Sequence, residues 1–115
     1  MLARAYRLRQ SRDIARVYKK GSYGSGNGVL SAKALASGHR DSRAVVVVSK
    51  KIDKRAVVRN RLRRRLVGDL ESHWETLKAG YDIVVSVHSD VSGLPAPQLH
   101  DHLSQALKRA GVIKT

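Results

Sequence analysis

The spacing of apolar residues along the chain changes character several times, and each change predicts an element. Ile14, Val17 and Tyr18 recur at one-turn intervals, which predicts a short amphipathic helix over residues 12–20, with Ser11 as its N-cap and Gly21 closing it. Residues 29–36 predict a strand. Residues 43–49 predict another, where four successive valines, Val45 to Val48, leave no polar face, as in a strand covered on both sides. Val58, Leu62, Leu66, Leu70 and Trp74 then step by four and predict a long helix over residues 56–78 that ends before Gly80. Residues 82–88, with Ile83, Val84, Val85 and Val87, read as the next strand. Pro95 and Pro97 interrupt the pattern, and Leu99, Leu103, Ala106, Leu107 and Ala110 set a final helix that stops at Gly111. Residues 22–25 offer one more short strand within the Gly/Ser stretch 21–28, which otherwise reads as a flexible loop without the Lys-Ser/Thr ending of a P-loop. The predicted order is α-β-β-β-α-β-α, an α+β sandwich with one sheet and helices against it.

Length and composition narrow this picture. The 115 residues fit one domain, 1–115, and 42% apolar content is enough for a core. The absence of Cys removes disulfides, thiolate metal sites and thiol nucleophiles, and fits a reducing compartment. No leader-like or membrane-spanning apolar run is present, so a soluble, cytoplasmic protein is expected.

Charge changes the picture most. The chain carries 23 Lys and Arg against 9 Asp and Glu, a formal net charge of +14. Residues 1–20 contain seven of the basic residues with Asp13 as their one acid, and residues 50–65 contain nine with Asp53 as theirs; the remaining residues balance to zero. A surface built for solubility interleaves the signs, whereas two concentrated cationic blocks repel themselves unless a polyanion compensates them. At about 100° per residue from Val58, Leu62, Leu66 and Leu70 form a drifting apolar stripe, while Asn60, Arg61, Arg64 and Arg65 occupy the other side. Arg63 borders the stripe. Arg59 falls within it and must project past the core edge or bend away. Gly68 follows on the cationic side, where a missing side chain weakens the helix but admits a close neighbour.

The run Ser49-Lys50-Lys51-Ile52, followed by Arg55-Ala56-Val57-Val58-Arg59-Asn60-Arg61-Leu62-Arg63-Arg64-Arg65-Leu66, closely resembles the signature of the bacterial ribonuclease P protein family. Arg7-Leu8-Arg9, Ser11-Arg12-Asp13, Val17-Tyr18-Lys19-Lys20-Gly21, Gly80-Tyr81-Asp82-Ile83-Val84-Val85 and Leu107-Lys108-Arg109-Ala110-Gly111 agree in order and spacing, so the resemblance spans nearly the whole chain. It implies a mixed sheet with a left-handed βαβ crossover, where the general rule gives a right-handed one. It further implies a small partner of a catalytic RNA that removes the 5′ leader of precursor tRNA, with Mg²⁺ held by the RNA and no protein partner required. Carried over by residue, the catalytic-RNA-binding set is Lys50, Lys51, Lys54, Arg55, Arg59, Asn60, Arg61, Arg63, Arg64 and Arg65. The leader-binding cleft between the first helix and the sheet is Arg9, Arg12, Ile14, Tyr18, Ala32 and Lys33. This chain has Ile14 and Ala32 where the family often has aromatics, contains no Phe, and has Val67 where the family usually continues with a basic residue.

The residues independently disfavour a catalytic site in the protein. Metal-assisted phosphodiester cleavage needs clustered carboxylates, and the cationic blocks offer only Asp13 and Asp53, in different elements. His39, His73, His88, His100 and His102 read as surface or boundary residues, and no metal site is expected. Tyr6 and Tyr23 read as loop anchors, and Trp74 as core. The alternative is a ribosomal or other structured-RNA-binding protein without a role in cleavage. A polybasic membrane-surface helix would need apolar anchors that the core here consumes.

Overall fold

The computed structural model describes residues 2–114; Met1 and Thr115, the ends of the expected single domain, lie outside the described residues. The elements are α1 (Ser11–Lys20), β1 (Ser22–Gly26), β2 (Leu30–Ala36), β3 (Arg43–Val47), α2 (Ala56–Ser72), β4 (Tyr81–Val87) and α3 (Ala96–Arg109), with 3₁₀ turns at Arg4–Tyr6 and Trp74–Thr76. The four strands form one sheet in the order β1-β2-β4-β3. β1–β2 and β2–β4 are antiparallel, whereas β3 and β4 are parallel and joined through α2. This is the expected mixed α+β sandwich.

Strand alternation divides the sheet into two unequal faces. Leu30, Ala32 and Ala34 of β2, Ala44 and Val46 of β3, and Ile83, Val85 and Val87 of β4 turn to one side. There they meet Leu62, Leu66 and Leu70 of α2 and Leu99, Leu103, Ala106 and Leu107 of α3. On the other side Val84 packs on Leu8 and Val17, ringed by Ile14, Leu35, Val45 and Val47. The valine run of β3 is therefore not symmetrically covered. β3 is an outer strand, and Val45 and Val47 remain half-buried while Ala44, Val46 and Val48 are closed off by α2. Across the β3–β4 pair, Arg43 grips Asp82 with two hydrogen bonds of 2.9 and 2.7 Å, and Asp13 of α1 lies 3.6 Å from the same guanidinium. The Asp82 carboxylate, by hydrogen bonding, raises the pKa of Arg43 further, and so a buried acid at the start of β4 is neutralised and α1 is anchored.

Three expectations need correcting. Ser11 is the first helical residue, not the cap; Gln10 occupies that position, and no side chain caps it. Gly21 does close α1, as expected, in extended backbone (φ −71°), and what demands glycine there is space, since a Cβ would lie 2.5 Å from the Val17 carbonyl oxygen. Residues 21–28 are not a flexible loop. They form β1 and a tight turn onto β2, with Gly24 and Gly26 facing α3 so closely that a Cβ at either would stand 2.2 Å from a helix carbonyl oxygen. Finally, α2 ends at Ser72, six residues short of the expected limit. A straight helix would carry Trp74 about 160° around from Val58. Instead the backbone tightens into a 3₁₀ turn, and the indole packs against Tyr6 with ring centroids 5.2 Å apart. At the other end of the chain, Gly111 follows the end of α3, as expected, and does so in the left-handed conformation (φ +85°).

Candidate RNA-binding surfaces

The start of α2 is built to hold positive charge where a helix tolerates it least. Its first turn contains no acid, its N-cap is Arg55, and the helix dipole adds further positive potential there. Asp53 offsets part of this. It accepts hydrogen bonds from the Arg55 backbone N–H (2.8 Å) and from Arg55 Nε and Nη2 (3.1 and 3.0 Å). These side-chain hydrogen bonds hold the Asp53 carboxyl down to about 2. Arg59 bends back, as its place in the stripe requires, and donates to the carbonyls of Asp53 (3.0 Å) and Lys54 (2.7 Å). Arg55 and Arg59 thus fix the loop that presents Lys50, Lys51 and Lys54, all exposed.

Beyond that first turn the cations divide by role. Arg61 and Arg64 are exposed and have no partner among the described residues. Arg63 donates to Asn60 Oδ1 at 2.6 Å, which orients both side chains. Val57 is 68% exposed one and two turns before Arg61 and Arg64, an apolar contact on a cationic side that reading the stripe alone does not reveal. Arg65 behaves differently. Its Nη1 donates to the carbonyls of Val91 and Ser92 at 3.1 Å each, and its Nη2 to that of Leu94. This side chain, expected among the RNA contacts, ties the β4–α3 loop to α2. Replacing Arg65 with Ala lowers stability by about 1–2 kcal/mol in a urea titration and leaves the salt dependence of RNA binding nearly unchanged. A groove of about 470 Å³ continues the cationic side across the edge of β3. Leu2, Leu8, Val45, Val46 and Val67 line it, and Arg7, Arg9, Arg63 and Arg64 stand around it.

The second surface lies under α1. Tyr18 is 42% exposed, its hydroxyl 3.3 Å from Ser86 Oγ, while Lys33 Nζ donates to the Tyr18 carbonyl (2.7 Å) and lies 5.8 Å from the Tyr18 ring centroid. Ile14 packs against the Leu8–Val17–Val84 cluster, and Arg9 and Arg12 are exposed beside it. Ala32 does not belong here. It is fully buried in the core on the opposite face, because alternation along β2 sends Ser31, Lys33 and Leu35, not Ala32, toward α1.

Register also shows what the sequence reading missed. Tyr23 of β1 pairs directly with Lys33, so the two side chains share a face, and Tyr23 is 52% exposed. It is a strand residue beside the cleft, not a loop anchor. The clue lies in its alternation with Gly24 and Gly26, which face α3. The next row, Ser25, Ser31 and Ser86, gives this face a flat polar floor.

Among the described residues no helix is long and apolar enough to cross a membrane. The histidines do not all lie at the surface: His73 is 5% exposed, and burial, its leading cause, lowers its pKa.

Comparison with known proteins agrees with this geometry. The Ribonuclease P family model matches residues 2–111. The chain is 39% identical to the ribonuclease P protein component of a Pseudanabaena species, covering 98% of this chain and 97% of that one. It is 35% identical to the corresponding protein of a Roseiflexus species, covering 98% and 92%. Among solved structures, the RNase P protein of Staphylococcus aureus superimposes with a TM-score of 0.82 at 27% identity, over 96% of this chain and all of that one. The RNase P protein of Thermotoga maritima gives 0.78 at 27% identity, over 90% and 96%. With the signature, the sheet order and these likenesses in agreement, the chain belongs to the ribonuclease P protein family.

Proposed function

We propose that the chain, as the protein component of the ribonucleoprotein endoribonuclease ribonuclease P, uses its two surfaces for two RNAs. The side of α2 bearing Arg61, Arg63 and Arg64, with the loop carrying Lys50, Lys51 and Lys54, docks on phosphates of the catalytic RNA. The open face holding Tyr18, Lys33 and Tyr23 takes the single-stranded 5′ leader of precursor tRNA, flanked by Arg9 and Arg12. Mg²⁺ and the bond-breaking chemistry belong to the RNA. The observation that carries this reading is the row of Arg61, Arg63 and Arg64 along α2, which has no acidic partner among the described residues. Arg suits the role because its planar fork grips phosphate in a bidentate manner, and the deep major groove of A-form RNA favours backbone over base-edge contact.

The leader surface is built for sequence tolerance. Aromatic rings stack on any base, and Lys33 beside Tyr18 adds a cation for the backbone. Only the precursor fills it, so the protein raises affinity for precursor over mature tRNA. The test is reconstitution of precursor cleavage by the cognate RNA at moderate Mg²⁺, with and without the chain. The protein stimulates cleavage, and Tyr18→Ala or Tyr23→Ala each reduces the preference for precursor about tenfold, the loss of one stacked base. Cleavage indifferent to the protein would leave only structured-RNA binding.

A further inference from the structure

On the far side of the molecule from α1, Asp69 in the last turn of α2 and His73, the residue just past its end, stand four residues apart, and His100 reaches them from the first half of α3. Asp69 Oδ2 and His73 Nε2 face each other at 3.5 Å, both buried and both without a hydrogen-bond partner among the described residues. Asp69 Oδ1 lies 3.0 Å from His100 Nδ1. Each residue offers one ligand atom, and the three atoms lie within 4.8 Å of one another. Bond lengths of about 2.0–2.1 Å at tetrahedral angles place zinc ligands about 3.4 Å apart, so the three atoms must draw together by up to about 1.4 Å to share an ion.

We propose that Asp69, His73 and His100 form a site for a borderline divalent transition-metal ion, Zn²⁺ in the first instance, that clamps α2 to α3. Two imidazoles and a carboxylate are the ligand set of zinc, not of Mg²⁺, which prefers oxygen and keeps its waters. An ion between Asp69 and His73 gives both buried orphan atoms the partner they lack. The rings of His73 and His100 are stacked, 4.0 Å apart and 13° from parallel, so their in-plane lone pairs do not converge as they stand. His100, the more exposed of the two, turns to meet the ion and exchanges its hydrogen bond to Asp69 for a shared metal. The clamp fixes the C-terminal half of the helix that carries the cationic surface, yet it stands independently of RNA docking.

The experiment uses the whole chain, freed of metal by chelation and then titrated with Co²⁺ alone, followed by the visible bands that Co²⁺ acquires in an N/O site. One equivalent binds, Zn²⁺ displaces it, and millimolar Mg²⁺ does not. His100→Ala, at a partly exposed position that leaves the fold intact, weakens binding at least about 100-fold, while His39→Ala, an exposed histidine elsewhere, changes nothing. Zn²⁺ at a hundredfold excess over Kd raises the unfolding temperature by about 10 °C in the parent chain and leaves His100→Ala unmoved. No binding at one equivalent, or equal binding by the parent and His100→Ala, means an adventitious ion only and overturns the site. RNA docking, read by salt titration, stands or falls separately.

Discussion

Raising the salt from 50 to 200 mM lowers the affinity of the chain for its catalytic RNA about 500-fold. About five neutralised phosphates give a log–log slope near −4.5, and a fourfold change in salt acts through that exponent. On the proposed docking, the five come from the cations that the fold leaves unspent. Arg65 is spent on the β4–α3 loop, and Arg55 and Arg59 on the loop before α2, which leaves Arg61, Arg63 and Arg64 with lysines from 50, 51 and 54. Changing Arg61 and Arg64 together to Ala therefore lowers the slope by about 1.8, removes most of the stimulation of precursor cleavage, and leaves the unfolding transition where it was. Filter-binding titrations across that salt range check the first two values. A slope near zero for the parent chain would refute electrostatic docking outright, and an unchanged slope in the double variant would move the contacts to another surface.

Much of this was legible in the sequence because it rests on periodicity. Steps of four through Leu62, Leu66 and Leu70 placed the buried side of α2, and the cations on its other side followed by angle alone. What periodicity does not carry is the destination of a long side chain. Arg64 and Arg65 are adjacent in sequence and alike in chemistry, yet one has no partner among the described residues and the other is held by three carbonyls of a loop that arrives from 26 to 29 residues away. The place in the cleft that the resemblance implies for Ala32 fails for a related reason. A period of two decides that Lys33 and Ala32 lie on opposite faces, but only the position of α1 decides which face is the cleft. The Asp69–His73 pair was present in the sequence at one-turn spacing, but His100 joins it only through the packing of α3 on α2.

Glycines show the same limit, and two of them give opposite outcomes for one substitution. Gly24→Ala lowers stability by about 3 kcal/mol and the unfolding temperature by roughly 10 to 20 °C. The added Cβ would stand 2.2 Å from the Ala106 carbonyl oxygen, 2.5 Å from the Ala110 nitrogen and 2.9 Å from the Arg109 carbonyl carbon. All three are backbone atoms of the end of α3, so no side chain can swing away and β1 must separate from the helix. Because β1 is the outer strand next to β2, that movement also disturbs Tyr23 and loosens the leader surface. Gly68→Ala does the reverse. Gly68 is helical and exposed, nothing lies within 4 Å of the added carbon, and relief of the backbone-entropy cost stabilises α2 by about 0.5–1 kcal/mol. Measured by calorimetry on the free chain, the two variants move in opposite directions. Should Gly68→Ala, stable as it is, bind the catalytic RNA about tenfold more weakly, then that open space is where an RNA backbone comes close to the helix, and the missing side chain on the cationic side has a functional cause.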